Sequence, residues 1–230
     1  MYRGAASLAL FALFGLGALA ISPLMLALRR PERTIPVIRF LWRPLLLLFD
    51  LTGLIRVEAR GLGGIHSSVI VANHPSLIDV VILVALIPRT LYVAKHALRV
   101  NPFLAAVVRA TSLPDDGRLP AAAAPYLERG WNVLVFPEGT RSPASGLHPF
   151  RRGAAWTALE SRAPVVALAL RFSRRILAKD SPPWLMHEKR VMISVDRLGT
   201  LAPPPDAAPS RRAAIALTAS IGGLYRGQFF

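Results

Sequence analysis

The sequence predicts an α/β domain with a mixed, largely parallel sheet flanked by helices, preceded by an N-terminal membrane helix and an interfacial helix. Three observations predict it. From Arg56 onward, short apolar runs alternate with helix-like stretches, the pattern of strands joined by crossover helices. Two polar, chemistry-bearing loops each follow such a buried run, and in a parallel sheet such loops converge on one crevice. Before Arg56 the chain is richer in apolar residues than a soluble domain needs.

The front end comes first. Residues 4–28 form an uncharged run of 25, and a helix needs about 20 apolar residues to cross a bilayer core. Arg3 precedes the run and Arg29, Arg30 and Arg33 follow it, so a spanning helix leaves its C-terminal end in the cytoplasm. Two other readings stand beside the span. One is a signal peptide cleaved at Ala18-Leu19-Ala20, although the apolar run continues past that site. The other is a helix lying in the interface. The segment 35–55 is also apolar, but Arg39 and Arg43 interrupt it four residues apart, on one helical face. This fits an interfacial amphipathic helix, with a helix packed on the domain core as the alternative. The expected division is 1–32 membrane helix, 33–55 interfacial segment and 56–230 globular domain.

Within that domain, strands are expected at 67–72, 90–94, 133–136, inside 164–172 and at 191–195. Helices are expected near 76–86, 102–110, 119–128 and 151–160, with Pro102 after Asn101 as a start signal. Residues 202–209 (APPPDAAP) read as a stiff connector, and Ser210 caps a last helix running towards Tyr225.

Composition narrows the chemistry. The 230 residues include no cysteine, which excludes disulfides, thiolate zinc sites and a cysteine nucleophile. Five histidines contain no His-x-x-x-His pair, so a histidine-rich metal site is not expected. The formal charge is +15, carried by 25 Arg and 3 Lys. Such a surface is either generally solvated or drawn to anionic headgroups, phosphates or an acidic partner. No basic stretch is interleaved with stacking aromatics, so nucleic acid is not expected.

The first loop, Asn73-His74-Pro75-Ser76-Leu77-Ile78-Asp79, leaves the 67–72 strand. Asp79, about one turn into the following helix, can reach back to one ring nitrogen of His74 and leave the other as an oriented base. A histidine capped by a nearby acid is the plain alternative. The second loop, Phe136-Pro137-Glu138-Gly139-Thr140-Arg141-Ser142, leaves the 133–136 strand. Gly139 permits close backbone approach, and Arg141 has the forked geometry that suits phosphate. Alone, this loop also reads as a polar turn.

Together, NHPSLID and FPEGTRS resemble the glycerolipid acyltransferase family, which includes the lysophosphatidic acid acyltransferases. The resemblance spans roughly residues 56–197. Tyr92-Val93-Ala94-Lys95, Phe150-Arg151-Arg152-Gly153 and Ala163-Pro164-Val165-Val166 resemble further family segments. It implies acyl transfer from acyl-CoA or acyl carrier protein to a lysophospholipid hydroxyl, first of all 1-acyl-sn-glycerol-3-phosphate. His74 and Asp79 are then catalytic, and Lys95, Glu138, Gly139, Thr140 and Arg141 hold the acceptor. It implies no cofactor and no metal, and membrane lipids as partners; the apolar front end and the Arg39/Arg43 segment are expected to hold the chain on the cytoplasmic face of the inner membrane. One segment departs from the family: where an arginine usually ends a motif, this chain has Asp115-Asp116, so a zwitterionic or amine-bearing lysolipid, or another hydroxylated acyl lipid, is the alternative acceptor. A lipase would need Gly-x-Ser-x-Gly, which is absent. A non-catalytic lipid-binding protein is the remaining alternative.

Overall fold

The computed structural model describes residues 20, 23–25, 27–28, 30–101, 104–178, 190–204 and 208–228. Seven strands form one sheet, in the order β1-β7-β6-β2-β5-β3-β4. They are β1 (Ile55–Arg60), β2 (Val69–Ala72), β3 (Thr90–Ala94), β4 (Ser112–Pro114), β5 (Asn132–Val135), β6 (Val165–Phe172) and β7 (Val191–Leu201). Only the β6–β7 pair is antiparallel. The mixed, largely parallel sheet is therefore as the sequence predicts.

Position in the sheet follows from residue pattern. All four residues of β2 and of β5 are buried, as strands covered on both faces require. β7, towards the edge, alternates buried and more exposed positions over its first half. β6, β2, β5, β3 and β4 run the same way, so their carboxyl ends line one edge, where both chemistry-bearing loops emerge.

The helices whose bounds lie among the described residues are α1 (Pro31–Leu51), α2 (Asp79–Leu86), α3 (His96–Arg99), α4 (Ala105–Thr111), α5 (Leu119–Glu128), α6 (Gly153–Ser161) and α7 (Arg211–Tyr225). α2 reads DVVILVAL and is buried over most of its surface, as a helix apolar all round must be. The Ser210 hydroxyl accepts from the Ala213 N–H at 3.2 Å and caps α7, as expected.

Several boundaries and three elements differ from expectation; β2 starts only at Val69, β5 covers Asn132–Val135, and the helix expected at 151–160 runs over Gly153–Ser161. The 76–86 helix starts at Asp79, because Ser76 is spent on a tight turn before it. The helix expected from Pro102 is described from Ala105; Pro102 itself lies outside the described residues. β7 continues well beyond residue 195, since its pairing with β6 carries on to Leu201. β1, β4 and the single-turn α3 were not predicted. β1 (IRVEAR) is a charged edge strand, and β4 is three residues long.

The membrane helix expected at 4–28 lies largely outside the described residues. Among the described residues no helix is long and apolar enough to cross a membrane. In the 33–55 segment, α1 buries Ile35, Ile38, Trp42 and Phe49 in the same core as the sheet. Its arginine face needs correcting. Arg39 does not turn outward: its Nε and Nη2 donate to the Val84 and Ala85 carbonyls at 3.1 and 3.2 Å. Those carbonyls stand in the last turn of α2, where a cation also complements the helix dipole. The opposite side of α1 leaves Phe40 77% exposed and Leu51 75% exposed.

Two buried asparagines fasten the sheet, one at each edge. At the carboxyl edge Asn73 exchanges bonds with the Leu170 backbone, donating at 2.9 Å and accepting at 2.8 Å. At the amino edge Asn132 accepts from Ser68 N–H at 3.2 Å and donates to the Ile65 and Pro88 carbonyls at 3.3 and 3.1 Å. Asn132→Ala strands these groups, two of them carbonyls of connecting loops, and should cost about 2–3 kcal/mol. A urea titration should show a lower midpoint with an unchanged slope.

Candidate active site

The site begins with register. Val71 of β2 stands level with Val135 of β5, so the two strands end together. Asn73-His74 and Phe136-Pro137-Glu138 then leave side by side. Asn73 is held by β6, and the chain turns sharply after His74 because Pro75-Ser76-Leu77-Ile78 forms bends before α2.

His74 and Asp79 meet as expected. His74 Nδ1 lies 2.9 Å from Asp79 Oδ2, and the Asp79 side chain is fully buried. The Ser76 N–H donates to the same oxygen at 2.8 Å. Asp79 Oδ1 is buried with no hydrogen-bond partner among the described residues. Burial pushes the Asp79 carboxyl above its ordinary value, and the His74 and Ser76 hydrogen bonds work against that rise. An ionised Asp79 only accepts, so it selects the tautomer with the proton on Nδ1. Nε2 makes no hydrogen bond to a described residue, and the His74 side chain is 17% exposed. Of the two ring nitrogens, Nδ1 is the one engaged by the protein among the described residues.

The second loop touches His74 at several points. The Phe136 ring stacks on the imidazole, with centroids 4.1 Å apart and planes inclined by 23°. The His74 N–H lies 3.0 Å from Ser142 Oγ and 3.3 Å from Glu138 Oε1. Ser142 N–H donates to the His74 carbonyl at 2.7 Å. Ser142 Oγ donates to Glu138 Oε1 at 2.5 Å, and His148 N–H donates to Glu138 Oε2 at 2.8 Å. Glu138 is therefore buried, with both oxygens engaged by protein donors.

The other expected residues are placed as follows. Gly139 has φ +63°, a left-handed conformation that favours glycine, and the Arg151 guanidinium packs against it, with its central carbon 2.7 Å from where a Cβ would lie. Thr140 is half-buried, and Arg141 is held by a 2.8 Å bond from Nη1 to the Leu177 carbonyl. Lys95 is exposed just beyond β3, on the same edge of the sheet. Asp115 follows β4; its N–H donates to the Ala94 carbonyl at 3.1 Å, which sets it beside the Lys95 backbone. Asp116 accepts from the Arg118 N–H at 2.9 Å at the start of α5. No group of three or more metal-ligating side chains gathers among the described residues.

Several contributors carried no role in the sequence reading. Phe136 and Ser142 lie inside the motif, but their contacts with His74 are visible only once β2 and β5 are paired. Tyr225 has no local signal at all. From the end of α7 its hydroxyl reaches the Val71 and Leu168 carbonyls at 2.9 and 2.8 Å, beneath the start of the His74 loop. Burial pushes its hydroxyl pKa far up, so it stays a donor.

Comparison with known proteins gives the family and the fold. The family model described as Acyltransferase matches residues 55–171, about half the chain. A 1-acyl-sn-glycerol-3-phosphate acyltransferase of Cocos nucifera is 31% identical over 113 residues, covering 45% of this chain and 37% of that protein. A chloroplastic enzyme of the same name from Brassica napus is 29% identical over 160 residues, covering 64% and 46%. The alpha form from Homo sapiens is 31% identical over 129 residues, covering 50% and 46%. The matches span less than half the length of these relatives. The crystal structure of the 1-acyl-sn-glycerophosphate acyltransferase PlsC from Thermotoga maritima superposes with a TM-score of 0.72 at 18% identity, covering 99% of this chain and 96% of that one. The fold is shared along nearly the whole chain, the family match runs from β1 almost to the end of β6, and this chain belongs to the Acyltransferase family.

Proposed function

We propose that this protein transfers a fatty acyl group from a thioester, on coenzyme A or acyl carrier protein, to the free hydroxyl of a lysophospholipid. The first acceptor is 1-acyl-sn-glycerol-3-phosphate, which becomes phosphatidic acid. The observation that carries the reading is the His74–Asp79 pair, with Nδ1 anchored at 2.9 Å and Nε2 left for substrate. In the reaction the acceptor hydroxyl gives its proton to Nε2 while its oxygen attacks the thioester carbon. The carbon–sulfur bond breaks, and the imidazolium returns the proton to the leaving thiolate. Asp79 stabilises the imidazolium between these events, assistance of a kind typically worth about 10²–10⁴ in rate. Lys95, Thr140 and Arg141 supply donors for the acceptor phosphate, and Gly139 lets the backbone approach it.

The exposed side of α1 supports work at a lipid surface. Phe40, Leu47 and Leu51 stand outward there, with Arg33 and Arg43 exposed on the same helix. We place the protein on the cytoplasmic face of the inner membrane, where acyl thioesters are made.

A second acceptor class has one observation in its favour. Asp115 sits beside the Lys95 backbone and adds negative charge where the phosphate would bind. That charge suits an acceptor bearing an amine.

Three outcomes follow. His74→Ala should lower turnover by about 10²–10⁴ without unfolding the protein; near-normal turnover in a folded variant refutes the chemistry. Asp79→Asn should lower kcat by about 10³–10⁴, because an amide turns the imidazole to the wrong tautomer. Its stability should move the other way. Burial raises the folded pKa of Asp79 above its unfolded value, so the stability that this group contributes is fully present below the unfolded pKa and is lost as pH rises through the folded pKa. Calorimetry should therefore find Asp79→Asn as stable as the natural protein or more so at neutral pH, with the difference closing as pH falls. Finally, lysophosphatidic acid and lysophosphatidylethanolamine should compete in favour of the phosphate lipid. A preference for the amine lipid that collapses in Asp115→Asn/Asp116→Asn would reverse the acceptor assignment.

A further inference from the structure

We propose that Glu138 is a positioning residue for His74 and not a ligand of the acceptor. The inference rests on the acyl-transfer reading of the site. A carboxylate that grips a substrate needs an oxygen open to it. Glu138 is only 3% exposed, and three protein donors converge on its two oxygens. One is the main-chain N–H of the base itself, at 3.3 Å. Another is the Ser142 hydroxyl, whose oxygen also accepts from that N–H at 3.0 Å. The third is the His148 N–H, from the far side of the loop.

The chemistry of the acceptor points the same way. A carboxylate repels a phosphate, so an anionic lysolipid gains nothing from it. The charge is used on the chain instead. Charge-assisted bonds to backbone N–H groups are stronger than neutral ones, and a buried carboxylate with three donors makes a stiff clamp. Ser142 completes it, since its own N–H holds the His74 carbonyl at 2.7 Å. Both main-chain polar groups of the base are thus fixed by residues 138 and 142. Glycine at 139 is what allows the loop to double back far enough for this, with φ +63°.

The test is a split between kcat and the acceptor KM in Glu138→Ala, Ser142→Ala and the double variant, each checked for folding by thermal unfolding. Misplacing a catalytic group by about 1 Å can cost about 10²-fold, so Glu138→Ala should lose about that in kcat, Ser142→Ala about tenfold, and acceptor KM should stay within about threefold. Both act through His74, so the double variant should be no worse than Glu138→Ala alone. An acceptor KM raised tenfold or more at unchanged kcat would make Glu138 a ligand, and unchanged kcat in both single variants would remove it from the site. If Glu138→Ala does not fold, the same split in Ser142→Ala decides. Amide hydrogen exchange at His74 gives a reading that needs no substrate: it should quicken in the folded variants, and protection equal to that of the natural protein overturns the clamp. Should the natural protein acylate no lysolipid, the proposed function fails and the exchange rate still decides the role of Glu138.

Discussion

The parallel register between β2 and β5 is the constraint on which the site depends. With Val71 level with Val135, the two loops leave the sheet at the same height. His74 then meets Phe136 across its ring face and Glu138 and Ser142 across its backbone. A slip of one residue would turn every side chain of β2 to the other face and separate these groups. The sheet guards against it with buried polar pairs. Asn73 couples β2 to Leu170 of β6, and Asn132 bridges the amino ends of β2 and β5 through Ser68. Each is an unsatisfiable buried amide in any other register.

The electrostatics of the site set function against stability. Two acids, Asp79 and Glu138, are buried near one basic side chain, and the charge on Glu138 adds to the rise in the Asp79 pKa. Asp79 also leaves Oδ1 without a partner among the described residues. A purely structural core would hold apolar groups here, because burying charge costs more than packing usually returns. On the proposed function, what the charges provide is one imidazole tautomer held at one angle before substrate arrives, the preorganisation that general base chemistry exploits.

Much of this was legible in the chain. β3 (Thr90–Ala94) and α5 (Leu119–Glu128) fall where periodicity puts them, and the His74–Asp79 contact follows from five residues of local spacing. What was not legible depends on distant partners. β1 reads as a charged segment because it is an edge strand that pairs only with β7. Arg39 looked like an interfacial charge, yet its partners are carbonyls 45 and 46 residues away. The family resemblance implied that Glu138 holds the acceptor, and the contacts it makes within the chain carry no signal in the sequence. Its donors come from His74 and His148, and only the paired sheet reveals that they arrive first.

The central claim is that this framework presents a bare Nε2 to the acceptor hydroxyl. Nitrogen-15 NMR of ring-labelled histidine tests it most directly, with His74→Ala used to assign the signal. The neutral His74 ring should carry its proton on Nδ1, with Nε2 bare and its signal shifting when a lysolipid is added. A ring protonated on Nε2 and bare at Nδ1, or one exchanging freely between the two tautomers, would contradict the account.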